Sequence, residues 1–588
     1  MLLCILALLG VAAPAGAQDK TWTHAVSNDF YTAGNWTPTG APTGADNVLI
    51  LDPTVTAVIN FTGSREIGSF HLGTTGDTGG NVEFRNGELV VHADFDRSHI
   101  GDMNSVDSKF VMSGNSVMLF DEPLNAEGLG TGRDGGGQDL EIGAQTGASG
   151  AVGTLELHDN AILRISDDLK IGAEANGNGV VLIDGNAQIS TGSGISVSES
   201  NPSKGRFTVA GNALVVSGNS AGAGNASQGN SDEGYLTLSV NTDSTADMVI
   251  QDTARVYART LQMRGGVTNM TIQDSGQFHV FNAFDFAAPN LGVATVVGTD
   301  GVRTSHVAQN NGSEFNLLIT GNGKMSIDSA TDHGVFDGLA VSGGTNTGGL
   351  PATGGKSNIE LRGNASFVIQ QDLHLTAAAS ADPVGASSNL RIVGPNVTAR
   401  VNGDLYMSFD SVNQVANGDP STLNAVLTGA THSTLVVRGE ANIKAGSLAV
   451  ELSGYSPIGG ETYTLLTAGS IVGTDFLNEN FTLAPLATGL SWEVTVGATN
   501  VLLKVLGTVV QPGDFDRDGD VDGRDFLVWQ RGGSPNPLTS SDLAVWQTNY
   551  GAGPVVAAAQ GVPEPHFLGL TGIALAAFAA TARRRRSA

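Results

Sequence analysis

The residues best equipped for chemistry crowd into one stretch, "GDFDRDGDVDGRDF", residues 513–526, in a chain whose formal charge is already −28. Counted from Asp514, side-chain oxygens fall at positions one (Asp514), three (Asp516), five (Asp518), nine (Asp522) and twelve (Asp525). Gly519 stands at position six, where such a loop must turn sharply, and Asp520 at seven supplies a backbone carbonyl. Carboxylates this close repel one another unless a cation sits among them. A hard divalent ion taking six to eight oxygen ligands removes the conflict, so the spacing predicts one bound Ca²⁺. A solvated acidic turn is the alternative.

The loop resembles an EF-hand-like calcium loop, with aspartate in place of the usual terminal glutamate. It is followed by "DFLVWQRGG" and then by "DLAVWQTNYG", which makes Trp529 equivalent to Trp546 and Asp525 to Asp542. Two short helices, each with an aromatic on one face, are expected to pack around the loop. Loop plus duplicated helix resembles a type I dockerin over Asp514 to Gly551. The second copy keeps its helix but has "GSPNPLTSSD" where a second loop would stand. The resemblance therefore implies one structural calcium, coupled to folding of a small module, and leaves a cohesin-like partner open.

Two terminal segments speak to location. "MLLCILALLGVAAPAGAQ" is a short apolar run ending in Ala15-Gly16-Ala17, which fits cleavage by signal peptidase after Ala17; an uncleaved buried helix is the alternative. Its removal takes away Cys4, the sole cysteine, and with it disulfides and thiolate chemistry. At the other end, Val562, Pro563, Glu564 and Pro565 precede an apolar run from Phe567 to Ala582 and then Arg583, Arg584, Arg585 and Arg586. Sixteen residues at about 1.5 Å each reach about 24 Å, a short membrane span that snorkelling arginines can extend. The arginines would stay cytoplasmic and the rest of the chain outside. This tail resembles a PEP-CTERM sorting signal of a planctomycete-like surface protein, which implies processing by an exosortase and delivery to the cell surface or matrix.

The elements that must carry these segments show in the composition. Glycine is abundant (80 residues), charged residues few (15%), yet hydrophobic residues reach 40%, so the chain is not a disordered acidic protein. With 57 acidic against 29 basic residues, nucleic acid is excluded as a natural partner. The middle region repeats: "IGAQTGASGAVGTLELHDNAILRI" from Ile142, "IGAEANGNGVVLIDGNAQIST" from Ile171, "ISVSESNPSKGRFTVAGNALVVSG" from Ile195. Asn160, Asn186 and Asn212 are 26 residues apart twice over. Period-two alternation (Leu155, Leu157; then Ile162, Leu163, Ile165) marks short strands around a polar corner. Units this thin cannot bury an apolar face alone, and stacking buries it. Asparagine and glycine tolerate left-handed corners, and asparagines repeated at one corner can form a hydrogen-bonded ladder.

The expected organisation is mainly β: signal peptide 1–17, N-terminal cap 18–60 with Trp22, Phe30, Tyr31 and Trp36, parallel β-solenoid repeats 61–430, and a C-terminal β segment 431–506. A linker (507–513), the dockerin-like module (514–551), a second linker (552–561) and the sorting tail (562–588) follow, the tail bearing a short transmembrane helix. An antiparallel sandwich array is the rival architecture. The flanking segments resemble those of passenger-type β-solenoids in autotransporter-like surface proteins, which implies a right-handed coil and surface exposure.

Catalytic groups are scarce. Acids such as Asp159, Asp184 and Asp252 read as turn residues, and the nearest approach to a lyase-like group is Asp167, Asp168 and Lys170 in "SDDLKIG". Ice-binding rows of Thr-x-Thr do not recur. The sequence thus predicts an exported structural or adhesive protein without catalytic residues, with extracellular polysaccharide or matrix as partner. The alternative is a polysaccharide lyase or glycoside hydrolase whose site is assembled across repeats.

Overall fold

A computed structural model describes residues 18–553, apart from 74–77, 93–97, 103–105, 121–138, 145–149, 219–233, 281–304, 309–311, 329–337, 343–354, 377–385, 411–414, 417–420, 444–445, 474–480, 508–510 and 517. The expected signal peptide, with Ala17, and the sorting tail, with its motif, apolar run and arginines, lie outside the described residues. Among the described residues no helix is long and apolar enough to cross a membrane. The chain divides into two compact units, one of residues 1–455, 463–484 and 494–503, the other of 456–462, 485–493 and 504–588.

The first unit is almost entirely β. Its logic is visible in one repeat, the strands Gly153–Leu157, Ile162–Ile165 and Leu169–Ile171. Each pairs in parallel with its counterpart in the next repeat: Gly153 with Gly179, Ile162 with Gln188, Leu169 with Ile195, an offset of 26 every time. Parallel pairing of equivalent strands contradicts the antiparallel rival. First and second strands of successive repeats join a large, nearly closed sheet, and the third strands build a separate 16-stranded sheet. Offsets then vary: Thr245 pairs with Val267 but Val267 with Glu314, because connections differ in length while the strands keep register.

Alternation sends every second side chain inward. Pairing places Phe110, Leu155, Val181, Phe207, Met248, Met270 and Leu317 in one column, all buried. Burial of each contributes about 1.5–3 kcal/mol, realised only when a neighbour lies above and below.

Two corners recur. After the first strand come Asp159, Gly185, Gly211, Asp252, Asp274, Gly321 and Gly363, each with φ between 56° and 70°. The left-handed position is therefore the residue before each asparagine, not the asparagine itself. The asparagines make the ladder: the side-chain amide of Asn160 donates to Asn115 Oδ1 at 3.3 Å, Asn186 to Asn160 at 3.3 Å, Asn212 to Asn186 at 3.1 Å. A second ladder, Asn358 to Asn316 to Asn269 to Asp247, runs along the outer face of later first strands. The other corner follows the third strand, with Gly143, Gly172, Ser198 and Ser239 all left-handed.

At the N-terminal end, Asp19–Trp22 pairs antiparallel with the two-residue strand Trp36–Thr37 and parallel with Asn47–Ile50. An edge this short offers little template for further pairing. Trp22, Phe30 and Trp36 are buried, and the Trp36 indole donates to the Phe30 carbonyl at 2.6 Å. The strand Thr56–Ile67 runs across the expected junction at residue 60. Parallel pairing likewise continues past 430, with Leu435 against Ala399.

The second unit holds the two α-helices of the described residues, α1 (Gly523–Gln530) and α2 (Ser540–Asn549). Both begin two residues before the equivalent aspartates Asp525 and Asp542.

Candidate functional sites

The aspartate loop wraps onto the start of α1. Asp522 is the N-cap of α1, its side chain accepting from Arg524 N at 2.7 Å, and Asp525 completes a capping box by accepting from Asp522 N at 2.8 Å. Asp525 is wholly buried and its other oxygen accepts from the amides of Phe515 (2.6 Å) and Asp516 (3.0 Å). Asp514, also buried, accepts from Gly519 N at 3.1 Å, and Gly519 has φ 99°, the sharp turn expected at position six.

Two groups of carboxylates converge there, Asp514 with Asp516 and Asp525, and Asp520 with Asp522 and Asp525, each with one oxygen per residue within 4.8 Å of the others. Asp525 is the hinge of both. The structure thus gathers five of the six predicted residues. Asp518 stands apart: one oxygen accepts from Asp520 N at 3.3 Å, the other faces Arg524 Nη1 at 3.4 Å. Asp520 Oδ1 is shielded from solvent with no hydrogen-bond partner among the described residues, so this side-chain oxygen is available to a cation. Desolvation, then the charges of Asp525 and Asp518, raise the Asp516 carboxyl above its ordinary range. Desolvation with Asp518 and Asp522 does the same to Asp520. This crowding is what a divalent cation would relieve.

The two helices are joined by reciprocal contacts. Trp529 of α1 donates its indole N–H to the carbonyl of Thr539, the N-cap of α2, at 3.0 Å; Trp546 of α2 donates to the carbonyl of Asp522, the N-cap of α1, at 2.8 Å. Phe526 packs on Trp546 with centroids 4.9 Å apart. Asp542, the counterpart of Asp525, accepts from Asn536 N (2.7 Å) and Asn536 Nδ2 (3.1 Å). In the segment between the helices, Asn536 thus satisfies both oxygens of Asp542.

A second cluster lies along the 16-stranded sheet. The middle residues of successive third strands form one row, His71, His99, Glu141, Lys170, Ser196 and Thr237. Flanked by inward Leu, Ile and Val, these side chains point away from the core, yet Glu141, Ser196 and Thr237 are buried. His71 meets Ser69 Oγ at 2.8 Å and His99 at 3.3 Å, and His99 meets Glu141 at 3.2 Å. Lys170 Nζ pairs with Asp139 Oδ2 at 2.7 Å. Asp168 accepts from Gly194 N at 2.7 Å and from the Tyr235 hydroxyl at 2.9 Å. Asp139, Asp167 and Asp168 have oxygens close enough to share a cation.

Of these, the sequence singled out Asp167, Asp168 and Lys170. It missed Asp139, Glu141, Glu199, Tyr235 and the histidines, which come from different repeats. The signal that could have found them is the recurring apolar-polar-apolar triplet ("LEI", "LKI", "ISV", "LTL") that aligns the row.

Burial raises the Asp168 carboxyl, helped by Asp139 and opposed by Tyr235; burial likewise raises Glu199. Burial opposes the charge on Lys170, but Asp139 outweighs it and the ammonium is held above its usual range. Burial and Asp168 push the Tyr235 phenol upward. Lys170 is thus held as an ammonium, and the Tyr235 phenol keeps its proton and donates it in a hydrogen bond to Asp168.

No protein-family model matches the chain, and no curated protein shows detectable sequence similarity to it.

Proposed function

We propose that this is an exported structural or adhesive protein. Its first unit would be a right-handed parallel β-solenoid serving as spacer and binding surface. Its dockerin-like unit would be stabilised by one Ca²⁺, and a PEP-CTERM tail recognised by an exosortase would deliver it to the cell surface or matrix. The observation that carries the reading is the unbroken parallel pairing of equivalent strands from repeat to repeat, which multiplies one exposed surface many times over. The convergence of Asp514, Asp516, Asp520, Asp522 and Asp525 supports the calcium. The ion would bridge the loop to the first turn of α1 and so couple metal binding to folding.

A polysaccharide-active enzyme is the second reading, favoured by the cluster of Asp139, Asp168, Lys170 and Tyr235. The protonation directions weigh against proton abstraction there, because a cationic Lys170 and a neutral Tyr235 are acids rather than bases. Incubating the full chain with a panel of neutral and uronate-containing polysaccharides separates the two. Retention on a polysaccharide without product is expected; reproducible product release that vanishes in Lys170→Ala would overturn the structural reading.

A further inference from the structure

A shallow groove follows the asparagine corner. Two cavities, of about 530 and 340 Å³, adjoin there and share Asn115 and Val117 in their walls. The first also touches Phe61, Asn86 and Glu88; the second, Asn160, Ile162, Asn186 and Gln188. Pairing puts the walls in two parallel columns. Asn115, Asn160 and Asn186 form one, linked by their ladder. Val117, Ile162 and Gln188, in direct register, form the other.

The chemistry of the columns is specific. A side-chain amide carries two N–H groups and an oxygen with two lone pairs. The ladder consumes one donor and one acceptor of an internal asparagine, leaving one of each unused by it on a residue that lines the groove. These repeat at the strand separation of about 4.8 Å, alongside half-exposed aliphatic side chains. Glu88 is the single formally charged side chain among the lining residues of the two cavities. A ligand matched to this surface is extended, hydroxylated, periodic on the scale of one strand spacing, and uncharged. The wall residues themselves offer no cation to a phosphate polymer or polyuronate; Arg65, its guanidinium 5.3 Å from the Phe61 ring centroid, stands at one end.

We infer that the groove beside Asn115, Asn160 and Asn186 binds a neutral, extended β-linked polysaccharide, one sugar per repeat, with ring faces on Val117 and Ile162 and hydroxyls on the amides. The inference rests on the adhesive reading above and gives it a location and a ligand class. Rigid presentation makes the arrangement effective, since the ladder holds each amide before the ligand arrives.

Calorimetry and affinity electrophoresis of the full chain with cellohexaose and with hexagalacturonate test it. Cellohexaose is expected to bind and hexagalacturonate not. Asn160→Ala with Asn186→Ala should weaken binding about tenfold or more, the loss of a few hydrogen bonds. Ile162→Lys and Gln188→Lys, at outward positions, should block the groove while leaving thermal unfolding unchanged; they keep the test decisive if the alanine pair unfolds. Undiminished cellohexaose binding in folded Ile162→Lys would overturn the groove while the adhesive reading stands. Preference for the uronate would overturn the ligand class. Binding of neither sugar would overturn the groove and remove the polysaccharide partner from the adhesive reading as well.

Discussion

Asp525 carries three duties at one position: it receives three backbone amides, completes the α1 capping box, and belongs to both carboxylate groups. Asp525→Ala should therefore cost the second unit about 1 kcal/mol or more from the cap alone. Beyond that, calcium is expected to raise the melting temperature of the full chain, and Asp525→Ala should abolish that rise whereas Asp542→Ala should leave it intact. Titrating calcium into both variants by calorimetry reads the difference. His158 offers a second residue-scale test. Partial burial pulls its imidazole down, but hydrogen bonds to Asp184 (2.8 Å) and Glu156 (3.3 Å) outweigh this, and its pKa is raised. A raised folded-state value means the stabilisation is fully present below the unfolded pKa near 6.5 and is lost as pH rises through the folded one. Melting temperature should fall modestly from about pH 6 to 8 in the parent chain, and His158→Gln should flatten that slope.

At the scale of elements, the corners decide whether repeats can stack. Gly143 has φ 66°, and a Cβ there would run into the backbone of Asn178 and Gly179 on the next repeat. Gly143→Ala should destabilise the first unit by about 1–3 kcal/mol, whereas Gly150→Ala, with a similar φ of 71° but no heavy atom within 4 Å of an added Cβ, should cost less. Denaturant unfolding of the two variants checks the contrast. Much of this was legible in sequence: Asn160, Asn186 and Asn212 announced both the spacing and the ladder, and Leu155 and Leu157 announced an inward face. The third strand was not read as one, since Leu169–Ile171 and Ile195–Val197 are too short for alternation to declare itself. The alignment of Glu141 with Lys170 and of both with Ser196 leaves only the recurring three-residue triplet as its linear trace. The loop residues needed no such help, because their spacing is local; only the sharing of Asp525 between two groups required coordinates.

For the whole first unit, stability belongs to the interfaces between repeats rather than to any repeat. Nothing in the register between Asn160 and Ala187 depends on the intervening 26 residues except that they complete one repeat, with Ala161 and Ala187 at the same buried corner. Deleting residues 161–186 should then let Gly153–Leu157 pair with Lys204–Val209 as Asn178–Ile183 did, with Phe207 inserted beside Leu155. One interface is lost and two outer ones are kept, so the shortened chain should retain its β circular-dichroism signal and unfold cooperatively at a slightly lower temperature. Removing only residues 161–173 deletes fewer contacts yet should be far more damaging. It joins a first-strand corner to the start of another first strand, so the second and third strands of that repeat vanish and both sheets lose their alignment. A stability order that followed the number of residues deleted, with the 13-residue deletion the milder, would mean that the unit is not built by propagation of one repeated register.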